Sequence, residues 1–130
     1  MNKDYTVSIA NLENKKSGCA TFEDLALIID EQAKEGLVFC AFIPSVIGPS
    51  GKVLTYDLIF KEADCSKFEY KIEYILADNK KAGEATFSGY ESALLSNVSA
   101  GFELLGAIPT RMGPSGKATQ IALIFIKNLD

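Results

Sequence analysis

The sequence predicts an α+β protein that consists of two pseudo-symmetric β-β-α-β-β repeats, each with a mainly antiparallel sheet and one helix. The pentapeptide Gly-Pro-Ser-Gly-Lys occurs at residues 48–52 and again, unchanged, at residues 113–117. The copies lie 65 residues apart in a chain of 130, and 19 of the 65 positions related by this offset are identical. Strand-like and helix-like patterns recur with the same offset. We therefore expect repeat 1 at residues 1–65 and repeat 2 at residues 66–130, packed together as one globular domain.

The size of each repeat indicates why two are fused. A unit of about 65 residues buries only about 60% of the surface that its unfolded chain exposes, so it is marginally stable alone. A second unit supplies the missing burial. Because a duplicated, self-associating unit keeps the geometry of its dimer, we expect the two repeats to be related by a pseudo-two-fold axis.

Each repeat begins with an alternating strand and a turn. Tyr5, Val7 and Ile9 share one face of residues 5–10, which predicts a strand half-buried through that face. The pattern returns at residues 70–75. An Asn-Lys-Lys-x-Gly turn follows in both repeats, and because Asn and Gly tolerate positive φ, we expect a hairpin to a short second strand. The second strands are residues 19–22 and 84–87.

A helix follows in both repeats. Thr21 and Asp24 have the spacing of a capping box in repeat 1, and Ser88 and Glu91 have it in repeat 2. Gly residues end both helices, as is common where the chain turns left-handed. The predicted buried faces are Leu25, Ile28, Ile29 and Gln32 or Ala33 in repeat 1, and Tyr90, Ala93, Leu94 and Val98 in repeat 2.

The third and fourth strands complete each repeat. The third spans residues 37–44 and 102–109, and the fourth spans residues 53–60 and 118–126. In repeat 1 the third strand is apolar on both faces, as strands buried on two sides are. Its second face, Val38, Cys40 and Phe42, therefore needs a cover, which is either the other repeat or another subunit.

Composition excludes several classes of function. The net charge of −4 disfavours a nucleic-acid polymer as partner. The longest apolar run is too short to span a membrane, and the first residues carry no apolar signal core, so we expect a cytoplasmic protein without a membrane partner. The chain has no histidine, which removes the usual general base and most zinc sites. We expect no catalytic residue, no metal, no cofactor and no enzymatic activity.

The repeated pentapeptide has two interpretations. Pro at the second position and Gly at the fourth fit a type I turn between strands. Alternatively, the loop binds an anion through the Ser50 hydroxyl, the N–H groups near Gly51 and the Lys52 ammonium. It is not a phosphate-binding P-loop, because only two residues separate its glycines and a strand follows.

The Asn-Lys-Lys turns are the second retained polar element. They are either solvated hairpin tips or, across a two-fold axis, neighbours of the pentapeptide loop of the other repeat. Arg111, beside the second loop, corresponds to Val46, so the two basic pockets would differ in strength. The candidate ligand-binding residues are Lys15, Lys16, Ser50, Gly51, Lys52, Lys80, Lys81, Arg111, Ser115, Gly116 and Lys117.

Three segments of repeat 2 form a further pattern: Tyr-Lys-Ile-Glu at residues 70–73, Gly-Phe-Glu-Leu-Leu at 101–105 and the closing Phe-Ile-Lys at 125–127. In these segments repeat 2 resembles a short bacterial family of uncharacterised domains. The family pattern is Tyr-Lys-Val-x-Glu, a helix, Gly-Trp-Glu-Leu-Val and a closing Phe-Lys strand, so Phe102 stands where the family has Trp. The resemblance implies the fold of the repeat. It does not imply any particular activity, because no activity is assigned to the family.

Two functions remain open at this point. The first is a non-enzymatic protein that binds a small anionic, nucleotide-like ligand at the basic loops between repeats or subunits, for example to sequester a signalling metabolite. The alternative is a structural or protein-interaction module that self-assembles through sheet edges and the apolar face around Phe42. Both interpretations include a homo-oligomer.

Overall fold

Two helices and seven strands lie in the part of the chain that the structure, a computed structural model, describes: residues 5–11, 20–22, 24–48, 53–78, 86–113 and 118–130. In chain order they are β1 (Tyr5–Asn11), β2 (Ala20–Thr21), α1 (Leu25–Lys34), β3 (Leu37–Ile47), β4 (Val53–Glu62), β5 (Phe68–Leu76), α2 (Tyr90–Ser99), β6 (Glu103–Met112) and β7 (Ala118–Asn128). Neither described helix has the length and apolar character needed to cross a membrane.

Each repeat builds a three-stranded antiparallel sheet of the same layout. Sheet A of repeat 1 has the order β1-β4-β3, and sheet B of repeat 2 contains the equivalent order β5-β7-β6. Every strand pair is antiparallel among the described residues. The predicted α+β class, with mainly antiparallel sheets and one helix in each repeat, is therefore confirmed.

The second strand of repeat 1 joins the other sheet. The hairpin predicted between the first two strands of repeat 1 is wrong, because β1 and β2 lie in different sheets. β2 instead pairs with β6, with Ala20 opposite Met112 and Thr21 opposite Arg111. The amide of Phe22 continues this pairing by donating to the carbonyl of Thr110 at 2.9 Å. β2 thus becomes the fourth strand of sheet B and ties the two repeats together.

Irregularities in β3 recur in β6 at equivalent positions. The register of β3 shifts between Phe39 and Ala41, and that of β6 shifts between Leu104 and Gly106. Such a bulge adds one residue and moves the following side chains to the opposite face. Phe42 therefore shares the face of Phe39, so the alternation predicted for this strand is wrong beyond the bulge.

Both helices lie on the same face of their sheets. Gln32 Nε2 of α1 donates to Ser8 Oγ of β1 at 3.1 Å, and Asn97 Nδ2 of α2 donates to Glu73 Oε1 of β5 at 3.4 Å. These two bonds are related by the 65-residue offset. We call the covered face of each sheet the helix-side face and the opposite one the outer face.

The helix ends follow the sequence only in part. Gly36 and Gly101 have positive φ angles of 78° and 95°, as predicted for the residues that end the helices. The capping boxes are wrong, since neither N-terminus has a side-chain cap bond. Leu25 and Ile29 are buried in α1 as predicted, whereas Tyr90 and Val98 of α2 are exposed and Asn97 is the buried residue.

The main core lies between the two repeats and uses non-equivalent faces. Repeat 1 contributes α1 and the helix-side face of sheet A, whereas repeat 2 contributes the outer face of sheet B. The buried members are Ala10, Phe22, Leu25, Ile29, Phe39, Tyr56, Leu58, Phe60, Ile108, Met112, Ala122 and Ile124.

Close contacts at the free edge of β3 stabilise the interface between the two repeats, which we call the joint. The hydroxyl of Tyr70 accepts a hydrogen bond from the Phe39 amide at 2.8 Å and donates one to the Leu37 carbonyl at 3.3 Å. A Cβ atom at Gly106 would lie 3.3 Å from the Phe39 ring, so glycine permits the close approach of the two sheets. Repeat 2 thus covers an edge and a face of repeat 1 together.

Candidate functional site

A cavity of about 300 Å³ opens at the end of sheet B, where β2 lies against β6. The strand register explains which side chains meet there. Arg111 of β6 lies opposite Gln120 of β7, and Tyr74 of β5 lies opposite Ala122, so all of them occupy the outer face of sheet B. The described lining residues are Thr21, Phe22, Tyr74, Thr110, Arg111 and Gln120.

The cavity combines one cation with polar and aromatic groups. The guanidinium of Arg111 is exposed and permanently charged, and no carboxylate is among the described lining residues. The buried Thr110 hydroxyl donates to Gln120 Oε1 at 3.0 Å, which leaves the Nε2 amide of Gln120 as a donor. The half-exposed ring of Tyr74 provides a flat apolar surface. These groups suit a ligand with an anionic part and a planar part.

The predicted ligand-binding residues are only partly placed. Arg111 lies at the cavity, as described above. The other ten lie outside the described residues, and they are Lys15, Lys16, Ser50, Gly51, Lys52, Lys80, Lys81, Ser115, Gly116 and Lys117.

The residues that flank two of these segments are neighbours. Ala20 follows the first Lys-Lys turn in the chain, while Met112 and Ala118 flank the second pentapeptide loop. Ala20 pairs with Met112, and Met112 pairs with Ala118. The first Lys-Lys turn and the second loop are therefore joined to strands that meet beside the cavity, although they belong to different repeats.

The equivalent region of repeat 1 lacks the cation. Val46 takes the place of Arg111, and Ser45 takes the place of Thr110. The Ser45 hydroxyl donates to Asp57 Oδ1 at 2.8 Å, which adds a carboxylate where repeat 2 has Ala122. An anion is therefore favoured at the repeat 2 cavity and disfavoured at its counterpart.

A second basic cluster lies beside the end of α2. The ammonium groups of Lys71 and Lys127 lie 5.7 Å and 5.5 Å from the centroid of the Phe102 ring. Lys71 also pairs with Glu73 at 3.5 Å. These contacts connect Lys71 of β5 and Lys127 of β7 to Phe102, which follows the end of α2.

The carboxylate of Asp78 accepts hydrogen bonds from the hydroxyls of Ser88 and Thr86, the latter at 2.7 Å. The Ser88 bond, and then the Thr86 bond, lower the pKa of Asp78. Asp78 therefore orders the approach to α2.

The predicted interaction face around Phe42 is directed into the protein. The Phe42 ring packs edge-on against Tyr56, with 5.2 Å between ring centroids. Val38 lies opposite Lys61, on the other face of the strand, and is also buried. The apolar surface that sheet A exposes is instead its outer face, which carries Tyr5, Val7, Ile9 and Ile43. The sequence predicted those three β1 residues as the buried side of the strand, and this is wrong.

Comparisons with family models, with curated proteins and with solved structures each found no match to this chain. The resemblance of repeat 2 to a bacterial domain family stays a prediction. The geometry of the cavity and the chemistry of its residues therefore provide the basis for a function.

Proposed function

We propose that the protein is a cytoplasmic, non-enzymatic binding protein for a small anionic, nucleotide-like ligand. The observation that carries this proposal is the Arg111 guanidinium at a cavity that also presents the Tyr74 ring and no described carboxylate. Arg binds phosphate through two parallel N–H donors, so the bond has a preferred orientation in addition to the attraction between the charges. A protein that only sequesters a signalling nucleotide needs such binding and no catalytic group.

Each lining group has a role in this proposal. Arg111 holds the anionic part, the amide of Gln120 donates to a ring or sugar oxygen, and Tyr74 lies flat against the planar part. Lys117 directly precedes β7, and Lys15 and Lys16 precede β2 in the chain. We propose that these lysines, with Ser115 and Gly116, add donors at the same end of sheet B.

The remaining candidates form a weaker site in this proposal. Ser50, Gly51 and Lys52 belong to the loop of repeat 1, where Val46 replaces Arg111. Lys80 and Lys81 belong to the turn of repeat 2. Without an arginine, and with Asp57 nearby, such a site binds an anion less tightly.

Native mass spectrometry followed by calorimetric titration with nucleotides tests the proposal. We expect a phosphate-bearing ligand to co-purify or to bind, and Arg111→Val, which copies repeat 1, to weaken it about 10- to 100-fold, the worth of a charge-assisted hydrogen bond. Lys34→Val removes an exposed cation from the end of α1 and is the matched control. Failure of every phosphate-bearing ligand tested to bind, or equal effects of both variants, would contradict the proposal.

We also propose that the two repeats are related head to tail. The sequence favours a pseudo-two-fold axis, across which the two repeats would use the same surface. The core residues instead support a head-to-tail relation, because repeat 1 contributes its helix-side face and repeat 2 its outer face. A head-to-tail pair leaves one of each face uncovered.

A further inference from the structure

The outer face of sheet A is an exposed apolar surface. Val7 lies opposite Ile59, and Ile59 lies opposite Ala41, so these residues form one row across the sheet. Tyr5, Ile9 and Ile43 extend the surface, and each of them is half or more exposed. An apolar sheet face of this kind is typical of an interaction surface.

A second uncovered apolar surface lies at the other end of the molecule. The cavity beside α2, which we call the α2 groove, has a volume of about 320 Å³. Its apolar walls come from the segment before α2, from α2 itself and from the helix-side face of sheet B. The principal lining residues are Phe87, Tyr90, Leu94, Leu104, Ile121 and Leu123.

The 65-residue offset shows what a groove of this kind receives. The six groove residues correspond, in the same order, to Phe22, Leu25, Ile29, Phe39, Tyr56 and Leu58. All six of these counterparts are buried in the main core. They are the residues of repeat 1 against which the outer face of sheet B packs, so the α2 groove is the empty equivalent of a filled site.

The same offset identifies what fits the groove. The residues of sheet B that enter the filled site include Ile108 and Ile124. Their counterparts are Ile43 and Ile59 on the outer face of sheet A. Ile43 is 50% exposed, whereas Ile108 is 1% exposed. The molecule therefore contains one complete joint and the two unused halves of a second one.

Side-chain sizes at the two joints are compensated. In the complete joint, Gly106 lies against the ring of Phe39. The corresponding residues of the unused halves are Ala41 and Leu104. Ala41 has a methyl group that Gly106 lacks, and Leu104 is smaller than Phe39. The increase in volume on the sheet is therefore offset by a decrease in the groove.

We propose that the outer face of sheet A in one copy of the chain packs into the α2 groove of the next copy. The contact is head to tail, so the copies form a ring if the rotation between them closes and a filament if it does not. Asp57 and Lys61 replace Ala122 and Ile126 of the complete joint. The charges make the contact between copies weaker than the joint within the chain.

A mixing experiment by sedimentation velocity tests this contact. Val7→Glu damages the outer face and Leu104→Glu damages the groove, and each change is at a residue at least 40% exposed. We expect the wild-type chain to assemble with rising concentration and each variant to sediment as a monomer of 14.1 kDa. An equimolar mixture of the two variants should form a dimer, because one retains the groove and the other retains the face.

The dimer in the mixture also shows that both variants are folded. Leu27→Glu places a charge at a residue of α1 that is 58% exposed and lies on neither surface, so it should assemble like the wild type. A wild-type chain that stays monomeric at all concentrations would overturn the proposal. So would an assembly that survives both substitutions, a mixture that stays monomeric, or an equal loss in the Leu27 variant.

Discussion

The two repeats have the same local structure and opposite burial. Their helices span equivalent residues, their third strands bulge at equivalent places, and their helix-docking hydrogen bonds are related by the same offset. Repeat 1 nevertheless buries its helix-side face beneath repeat 2, whereas repeat 2 leaves part of that face open beside α2, at Leu104 and Ala107. The difference teaches that the position of a repeat in the chain, more than its own pattern, decides which face becomes core.

The largest expected difference in stability is between the alanine variants of two isoleucines at equivalent positions. Ile108→Ala should destabilise the protein by about 2–5 kcal/mol, because it opens a cavity in the main core. Ile43→Ala removes the same atoms from an exposed surface and should change stability by less than about 0.5 kcal/mol. Urea unfolding of both variants, at concentrations where the chain is monomeric, measures the difference. Similar losses of stability in the two variants would show that the repeats are buried alike.

Asp57 provides a test in which the association should become stronger. Asp57→Ala copies the residue of repeat 2 at this position and removes a charge from the outer face of sheet A. A carboxylate is costly to bury even when it keeps a hydrogen bond from the Ser45 hydroxyl, so the dissociation constant between copies should fall by at least about tenfold. Sedimentation equilibrium measures this constant, with the exposed helix residue Glu31→Ala as control. An unchanged or weaker association would place the contact elsewhere.

The helix-terminal glycines should respond alike, since the local backbone is the same in both repeats. Gly36→Ala and Gly101→Ala each force a side chain into a left-handed conformation, and each should cost about 1 kcal/mol. At Gly101 the new Cβ atom would also lie 3.2 Å from Cε of Lys127, a flexible group that can move. Thermal unfolding compares the two variants. A cost confined to one of them would mean that the helix ends are not equivalent.

Tyr70, whose hydroxyl bonds to the backbone of β3, should contribute to a loss of stability at alkaline pH. Burial raises the pKa of Tyr70 to about 12, and the bond from the Phe39 amide only partly opposes it. An unfolded tyrosine ionises near pH 10, so the contribution of Tyr70 is complete below about pH 10 and is lost as the pH rises toward 12. Relative to the wild type, Tyr70→Phe should remove part of the alkaline loss of stability. Unfolding free energies between pH 8 and 11 (about one pH unit above the ordinary tyrosine value) test this; equal profiles would contradict it.

The repeat structure was predictable from the sequence, and the partner of each face was not. Alternation correctly placed Tyr5, Val7 and Ile9 on one face of β1, but hydrophobicity alone cannot say whether such a face is core or a surface for another copy. The helix pattern placed Leu25 and Ile29 correctly because periodicity reports the face of a single helix. A bulge leaves no comparable pattern in the sequence. The sequence therefore could not show that Phe42 lies on the face opposite to the predicted one.

The candidate site was predictable only at Arg111. That residue was identifiable because its counterpart in repeat 1 is Val46, so the duplication itself marked the difference. No sequence motif marks Tyr74, Thr110 and Gln120. These residues meet because the ends of three strands of sheet B lie side by side. Phe22 reaches the cavity because β2 pairs with a strand of the other repeat about 90 residues away in the chain, and local sequence patterns do not contain such a pairing.

Cross-linking between single cysteines tests the head-to-tail account most directly. In a chain whose Cys19, Cys40 and Cys65 are replaced by alanine, one variant carries Ala41→Cys and the other carries Leu104→Cys. These positions correspond to Gly106 and Phe39, which are in contact within the chain. We predict that a short bis-maleimide joins the two variants into a covalent dimer when they are mixed, and joins neither variant efficiently to itself. A mixture without the cross-link, or equal cross-linking within the Ala41→Cys variant alone, would contradict the account.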